Sequence, residues 1–279
     1  MSLAARLLPL QTQFIRPLAI AADESDWVPS PLATALGRID GTCRIKSEDT
    51  ASATPAPTVT VRHPIISRLY VGQAKKADEL GLAERRRQLL SSLSGRVVEI
   101  GAGAGTNFAY YPTTVEKVIA FEPEPYLREI AERAAEDAPI PIQVLDAPAE
   151  QLPVEDESLD AAVASLVLCT VADPEKAIAE LYRAIRPGGL LLFNEHVRST
   201  SPRVARIQMT ADRLGWPHVS GGCHLGRDTT ALMRAAGFEI ESVERYNFRI
   251  PPLDPPKPHI VGTAHRPAEA PGSTRGPDD

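Results

Sequence analysis

A glycine-rich turn followed by an acidic residue is the first feature of the sequence that could bind a ligand. Gly101, Gly103 and Gly105 directly follow a β-branched run and precede a short helical segment, 107–111. Glycines let the backbone turn sharply and approach a ligand closely, and amides at a helix start can face an anion or a carboxylate. Glu122 closes the next predicted strand, where a carboxylate can accept hydrogen bonds from both hydroxyls of a ribose. The pattern predicts a nucleotide-binding site.

The spacing of these glycines bears on which nucleotide would bind. The dinucleotide fingerprint places its third glycine one position later, where this chain has Thr106. A loop with glycine at every second position therefore suits a smaller ligand, without a pyrophosphate, better than it suits a dinucleotide. A nicotinamide-dependent oxidoreductase stays open as an alternative on these residues alone.

Histidines and cysteines supply the candidates for chemistry. Glu195 and His196 end the fifth predicted strand, and Cys223 and His224 follow a pair of glycines. Because imidazole has an unperturbed pKa near 6.5, we expect His196 to accept a proton or orient a substrate, with His224 as the second choice. A structural hydrogen bond is the alternative for each. Cys223 is expected to line the pocket, as is Cys169 unless it belongs to the core. No helical i, i+4 pair of ligands occurs here, so we expect no metal site.

Alternating strands and helices must position these residues. The predicted strands are 96–100, 117–121, 142–145, 160–168, 190–193, 238–248 and 260–264, and the predicted helices are 73–93, 125–135, 174–185 and 227–236. Such alternation favours a parallel sheet with helices on both faces, whereas the last two strands have no helix between them and should be antiparallel. We predict a doubly wound, Rossmann-like α/β sheet of seven strands, mostly parallel, with an antiparallel C-terminal pair. Ligands should bind beyond the carboxyl ends of its strands.

Composition limits the class of protein. The 279 residues are 43% hydrophobic and 24% charged, which suits a globular core, and the net charge of −6 argues against a nucleic-acid partner. The basic run 85–87 is predicted to be a solvated helix face. Three cysteines without a CxxC pair are typical of a reducing compartment, so we expect a cytoplasmic protein. No apolar run approaches the roughly 18–20 residues of a membrane span.

The chain divides into four predicted parts. Residues 47–60 and 266–279 lack periodicity and are rich in small, polar and proline residues, so we predict a flexible linker and a disordered tail. Residues 61–265 form the folded domain. Residues 1–46 form an arm of unknown role, which could cover a pocket, join a homodimer interface or be dispensable.

Four motifs of the folded domain resemble those of class I S-adenosylmethionine-dependent methyltransferases. They are 97–105 with the glycine loop, 120–124 with Glu122, 149–153 followed by Asp156 and Asp160, and 186–189 before the fifth strand. Segments 107–112, 166–171, 194–197 and 222–227 further resemble the alkyl-thiol methyltransferase-like branch, which lies near the ubiquinone and menaquinone methyltransferases. The resemblance implies that residues 61–265 form a methyltransferase domain.

The resemblance implies S-adenosylmethionine as the cofactor and assigns residues to it. The expected cofactor residues are Glu99, Gly101, Ala102, Gly103, Gly105, Asn107, Glu122, Pro123, Asp146, Ala147, Ala149, Glu150 and Leu166. Many relatives carry an aspartate just before the Ala-Glu pair of the third motif, to accept from the adenine amine, but this chain has Pro148 there. Either Asp146 reaches the amine, or backbone amides near Ala149 bind the adenine.

The resemblance also indicates the reaction. We expect transfer of a methyl group to a small, lipophilic acceptor, with a thiol sulfur as the favoured nucleophile. The expected substrate-binding residues are Tyr70, Tyr110, Cys169, Glu195, His196, Trp216 and Cys223, with Tyr111 as a further aromatic candidate. O-, N- or C-methylation of a secondary metabolite or quinone is the alternative, and a non-catalytic S-adenosylmethionine sensor is a third hypothesis. Segment 199–219 is predicted to be an amphipathic lid that sets acceptor specificity.

Overall fold

Apolar strands from the middle of the chain form the centre of a seven-stranded sheet. The computed structural model describes residues 64–252 and 255–268. Its strands are β1 (Gly95–Ile100), β2 (Val115–Phe121), β3 (Ile142–Leu145), β4 (Leu159–Ser165), β5 (Ile185–His196), β6 (Glu239–Phe248) and β7 (Lys257–His265). They lie in the order β3-β2-β1-β4-β5-β7-β6. β1 to β5 are parallel, and β7 runs antiparallel to both β5 and β6. The predicted sheet is confirmed.

Helices cover both faces of this sheet. They are α1 (Pro64–Ala77), α2 (Ala83–Leu90), α3 (Pro125–Glu136), α4 (Pro174–Ala184), α5 (Pro202–Arg213), α6 (Trp216–Val219) and α7 (Thr229–Ala235). A π-helical turn, Asp78–Leu82, joins α1 to α2, and a short 3-10 helix, Phe108–Tyr110, follows the glycine loop. Within the described ranges no helix combines the length and the apolarity that crossing a membrane requires.

Alternate residues of the central strands pack into two separate hydrophobic cores, one on each face of the sheet. Ala162 and Ala164 of β4 belong to the core beneath α4 and α7, whereas Ala161 and Val163 pack on the opposite face with residues of α2 and α3. All four side chains are at most 2% exposed. Burial on both faces explains why β4 is a continuous apolar run in the sequence instead of an alternating one.

Side-chain caps set where two of the helices begin. Glu124 and Asp173 each accept a hydrogen bond from the N–H three residues further along, at 2.8 and 3.0 Å, and a proline follows each of them. Such a pair satisfies an N–H that the helix leaves free and presets the backbone angle of the first helical residue. The starts predicted for α3 and α4 are confirmed.

Several predicted element boundaries are wrong. The strand predicted over 160–168 ends at Ser165. α4 ends at Ala184 rather than at Ile185, and β5 begins at once and runs through the Pro-Gly-Gly turn for 12 residues. Gly189 permits this because a Cβ there would lie 2.7 Å from the carbonyl oxygen of Asp160 on β4. The helix predicted from residue 73 begins instead at Pro64, and it is interrupted at Gly81, whose φ of +109° is not helical.

The predicted arm 1–46 and linker 47–60 lie outside the described residues, as does the predicted tail beyond residue 268. Arg266, the first residue of that tail, is tied to the domain. One of its guanidinium nitrogens donates to the carbonyls of Tyr182 and Ile185 at 2.9 and 2.8 Å, and the group lies 4.8 Å from the centre of the Tyr182 ring. Contacts with the domain therefore continue past residue 265.

The antiparallel pair gives a direct test of the fold. A Cβ on Gly262 would lie 2.1 Å from the carbonyl oxygen of Ser242 and 2.9 Å from the Phe193 ring. Gly262→Ala should therefore lower the free energy of unfolding by about 1–3 kcal/mol, as overpacking of a core does. Gly72→Ala is the control, because no atom lies within 4 Å of that Cβ and α1 is a helix. In urea unfolding, only Gly262→Ala should be less stable than the unmodified chain. Equal unfolding midpoints for Gly262→Ala and the unmodified chain would contradict this packing.

Candidate active site

The glycine loop and Glu122 meet at the carboxyl ends of β1 and β2. Gly101, Gly103 and Gly105 all have φ between +58° and +74°, a conformation that favours glycine. The Glu122 carboxylate accepts from the N–H of Gly103 at 2.7 Å and from that of Glu124 at 2.9 Å. Glu122 is only 6% exposed, and burial raises the pKa of its carboxyl. Two features that the sequence predicts to act together are thus in contact.

A second buried carboxylate, Glu99, lies on β1 ahead of the same loop. It accepts from the Asn107 amide and from the Tyr111 hydroxyl, both at 2.7 Å. Burial raises the pKa of Glu99 to about 7, although both hydrogen bonds act to lower it. Tyr111 is 3% exposed, so its ring packs in the core instead of capping a ligand. Ala102, also predicted at this site, is buried and donates its N–H to the carbonyl of Phe121 at 3.1 Å.

Arg86 contradicts the predicted solvated face at 85–87, because it is only 4% exposed. It donates to the Asp78 carboxylate and to the side-chain amide oxygen of Asn107, both at 3.1 Å, and to the Ser165 hydroxyl at 3.3 Å. The guanidinium thus links α2 to the segment that follows the glycine loop and to the end of β4. A signal was present in the sequence, since Arg86 lies four residues from both Leu82 and Leu90 and shares their buried face.

Tyr70 of α1 covers the glycine loop. A Cβ on Gly103 would lie 3.0 Å from the Tyr70 hydroxyl, so the ring and the loop are in close contact. Tyr110 lies elsewhere, with the Arg87 guanidinium 5.2 Å from its ring centre. The two tyrosines predicted to bind substrate therefore lie beside the nucleotide loop and against α2, respectively.

Arg128 of α3 joins the second and third predicted motifs. Its guanidinium donates to the carbonyls of Glu122 and Pro123 at 2.9 and 3.2 Å and pairs with the Asp146 carboxylate at 3.1 Å. Asp146 directly follows β3, and this ion pair holds it beside Glu122. The neighbouring side chains Ala147 and Ala149 are buried, and Glu150 accepts from the N–H of Asp173 at 3.1 Å. These residues form one edge of the predicted adenosine site.

Glu195 has a different role from the predicted substrate contact. It is 0% exposed, and its carboxylate accepts from the N–H groups of Val167 and Leu168 at 3.0 Å and of Cys169 at 3.2 Å. Leu166 just before them has φ of +58° and donates to the carbonyl of Asn194 at 2.7 Å. Burial raises the pKa of Glu195 to about 7. Glu195 therefore fixes the loop after β4, and Leu166 is the residue at which that loop turns.

His196 and Cys223, each predicted separately to lie in the acceptor site, are in contact. The Cys223 sulfur lies 3.4 Å from Nδ1 of His196, and His196 is 3% exposed. Nε2 of His196 is buried and has no hydrogen-bond partner among the described residues. The Cys169 thiol contacts Cys223 and lowers the pKa of the Cys223 thiol, as does His196. This cluster can exchange a proton.

The remaining predicted residues lie around that cluster. The His224 N–H donates to the carbonyl of Cys169 at 2.8 Å, but its imidazole is 37% exposed and lies 3.9 Å from Asp212. Desolvation and the Arg227 charge lower the pKa of His224. Trp216 opens the short helix α6 and is 37% exposed. The residues missed by sequence reasoning are Arg86, Arg128 and Arg227, whose guanidinium donates to the carbonyl of Leu168 at 2.6 Å.

The sequence is similar to those of known methyltransferases. Residues 98–193 match a family model described as a methyltransferase domain. Human thiol S-methyltransferase TMT1B is 32% identical over 196 residues, which cover 66% of this chain and 79% of that protein. Demethylmenaquinone methyltransferase of Clavibacter sepedonicus is 29% identical over 191 residues, 61% of this chain and 76% of that protein.

Solved structures with the same fold are also found. An S-adenosylmethionine-dependent methyltransferase of Thermotoga maritima superposes with a TM-score of 0.51 at 27% identity, covering 72% of this chain and 98% of that one. The [4+2]-cyclase SpnF superposes with a TM-score of 0.52 at 21% identity, covering 67% and 80%. The second likeness concerns the fold alone.

The buried carboxyls predict a pH dependence of stability. The pKa of Glu99 is about 7 in the folded chain, above the ordinary 4.5, so the folded state holds this proton more tightly than the unfolded state. Stability from this group is present below pH 4.5 and is lost as the pH rises to about 7, at a cost of roughly 3 kcal/mol. Glu99→Gln should remove that loss in urea unfolding between pH 5 and 8. A pH profile identical to that of the unmodified chain would contradict the burial of a titrating carboxyl.

Proposed function

The chain belongs to the class I S-adenosylmethionine-dependent methyltransferases, and we propose that it transfers the methyl group of S-adenosylmethionine to the sulfur of a small thiol. One observation carries the choice of acceptor. His196 is buried beside Cys223, and its Nε2 is buried without a partner among the described residues. An imidazole there suits a nucleophile whose proton must be removed near neutral pH. The relationship to human thiol S-methyltransferase TMT1B supports the same acceptor class.

The residues at the carboxyl ends of β1 and β2 fit the cofactor. Glu122 offers a buried carboxylate to the ribose hydroxyls, and Gly101 and Gly103 adopt the positive φ that favours glycine, which lets the backbone turn sharply and approach a ligand closely. Arg86 and Glu99, joined through Asn107, place one positive and one titratable group where the loop meets β4. We propose that these two groups bind the charged methionine end, which carries both a carboxylate and an ammonium.

The reaction needs little more from the protein than alignment and one proton acceptor. S-adenosylmethionine supplies an electrophilic methyl group, so a thiolate can displace the sulfonium in line. A free thiol has a pKa near 8.5 and needs modest help to ionise at neutral pH. In our proposal His196 accepts the thiol proton at Nε2, while the buried site excludes water. The products are a methyl thioether, S-adenosylhomocysteine and the proton on His196.

A second candidate function is methylation of a quinone or another lipophilic metabolite at oxygen, nitrogen or carbon. Two observations favour it. The related protein of Clavibacter sepedonicus is a demethylmenaquinone methyltransferase, and α5 with the turn after it exposes Ile207 and Leu214 by 68% and 83%. An apolar face on the predicted lid suits a lipophilic acceptor of either kind. We further propose a cytoplasmic location, since a thiol acceptor requires a reducing compartment.

Acceptor screening tests the proposal. The protein is incubated with S-adenosylmethionine carrying a labelled methyl group and with matched alkyl thiols, phenols, quinols and amines of similar size. We expect label in the methyl thioether and equal amounts of S-adenosylhomocysteine. Methylation of a phenol, quinol or amine without methylation of any thiol would replace the proposal by the second candidate.

Glu122 can be tested through cofactor affinity. Glu122→Gln keeps the shape of the side chain but removes its charge, so binding of S-adenosylhomocysteine in calorimetry should weaken by roughly 1.5–3 kcal/mol. Glu132→Ala, an exposed carboxylate on α3, is the control and should bind as the unmodified chain does. Unchanged affinity of the Gln variant would remove Glu122 from the ribose site.

His196 can be tested through the acidity of the acceptor. His196→Asn should lower kcat for an alkyl thiol by roughly 10²–10⁴, the range for loss of a positioned base. An aryl thiol that is already ionised at the assay pH should lose much less, and affinity for S-adenosylhomocysteine should not change. Equal losses for both thiols would show that His196 orients the acceptor without taking its proton.

A further inference from the structure

Two cysteines far apart in the sequence meet at the acceptor end of the proposed site. Cys169 lies in the loop after β4 that Glu195 fixes, and Cys223 lies in the turn between α6 and α7. The N–H of the residue after Cys223 donates to the carbonyl of Cys169 at 2.8 Å. On the other side of Cys223, a Cβ on Gly222 would lie 3.0 Å from the carbonyl oxygen of Thr170. The loop after β4 and the turn between α6 and α7 are thus in close contact on both sides of Cys223.

The two thiols differ in what surrounds them. Cys169 is buried, at 3% exposure, whereas Cys223 is partly exposed. The Cys223 sulfur lies 3.4 Å from Nδ1 of His196. Hydrogen bonding from Cys169, together with His196, lowers the pKa of the Cys223 thiol, while the same pairing and burial raise the pKa of Cys169. A partly exposed thiolate next to a buried thiol is the arrangement of an attacking cysteine and its resolving partner.

We propose that Cys169 and Cys223 form a reversible disulfide that stops methyl transfer when peroxide is abundant and thiols are scarce. The Cys223 thiolate attacks one oxygen of hydrogen peroxide, the O–O bond breaks, and a sulfenic acid and hydroxide result. The Cys169 sulfur then displaces the hydroxyl from Cys223, forming the disulfide and releasing water. Overall two thiols lose two electrons, and one peroxide becomes two waters.

Reduction returns the site to its active form. One small thiolate attacks the disulfide to give a mixed disulfide, and a second small thiol releases the protein thiol and leaves as a small-molecule disulfide. Small thiols are also the acceptor class of the proposed function, on which this consequence for activity rests. The enzyme would then work only where its acceptor is reduced.

The disulfide should affect only one half of the site. The disulfide uses the Cys223 sulfur, which contacts His196 in the reduced protein, so the acceptor end of the site is altered. Glu122 and the glycine loop lie at the ends of β1 and β2 and share no hydrogen bond with either cysteine. Oxidation should therefore abolish turnover and leave the affinity for S-adenosylhomocysteine unchanged.

The experiment treats the full chain with hydrogen peroxide and counts free thiols. Of the three cysteines in the chain, one should remain, because only the pair 169–223 is oxidised. Peptide mapping should recover a cross-linked peptide containing Cys169 and Cys223, and dithiothreitol should restore both the thiols and the activity. Cys43→Ser is the matched control, and it should form the 169–223 disulfide and recover on reduction as the unmodified chain does.

Cys169→Ser separates a switch from simple damage. Without the resolving thiol, Cys223 should oxidise beyond the sulfenic acid, and dithiothreitol should no longer restore activity. A cross-link that involves Cys43, or loss of Cys223 thiol without a 169–223 peptide, would overturn the proposal. Because the peptide map does not depend on any acceptor, the disulfide can be judged even if no thiol is methylated. Failure of the proposed function would show in the acceptor screen and not in the map.

Discussion

Burial of a carboxylate costs free energy unless hydrogen-bond donors surround it, and three of the four buried glutamates of the described chain impose that demand on the loops of the site. Glu99 on β1, Glu122 after β2 and Glu195 on β5 stand at the carboxyl ends of parallel strands, each at most 6% exposed. Each accepts hydrogen bonds from a neighbouring segment. Glu99 accepts from the residues that follow the glycine loop, Glu122 from the loop itself, and Glu195 from the loop after β4. The loops that shape the site are held in place by these carboxylates.

This constraint divides the site into two halves with different chemistry. On the β1 and β2 side, Glu122 and the glycine loop present a carboxylate and a glycine-rich turn, which suit a nucleoside. On the β4 and β5 side, Glu195 holds the loop that carries Cys169 against the turn that carries Cys223, next to His196. The half that we propose for the cofactor is polar, whereas the half that we propose for the acceptor contains sulfur and imidazole. Arg86 contacts both Asn107, which follows the glycine loop, and the end of β4, so it joins the halves.

The features that sequence reasoning could predict are the local ones. The glycine loop and Glu122 belong to one strand–loop–helix–strand unit, and the missing helix between the last two strands implied their antiparallel pairing. The roles of Arg86 and Glu195 could not be predicted with the same ease, because both depend on contacts across long stretches of sequence. Arg86 stands in a run of three arginines that is typical of a solvated face, and Glu195 looks like a free acid until the loop after β4 folds onto it. His196 and Cys223 were each predicted to lie in the acceptor site from their residue types, but the contact between them, 27 residues apart, was not predicted.

The central claim is that the half built by Glu122 and the glycine loop binds S-adenosylmethionine and not a dinucleotide. Calorimetric titration of the full chain with S-adenosylmethionine, S-adenosylhomocysteine and NADH tests this most directly. The account predicts one molecule of either of the first two bound per chain, and no heat of binding with NADH. Binding of NADH with no binding of S-adenosylmethionine or S-adenosylhomocysteine would contradict it and would leave only the Rossmann-like sheet standing.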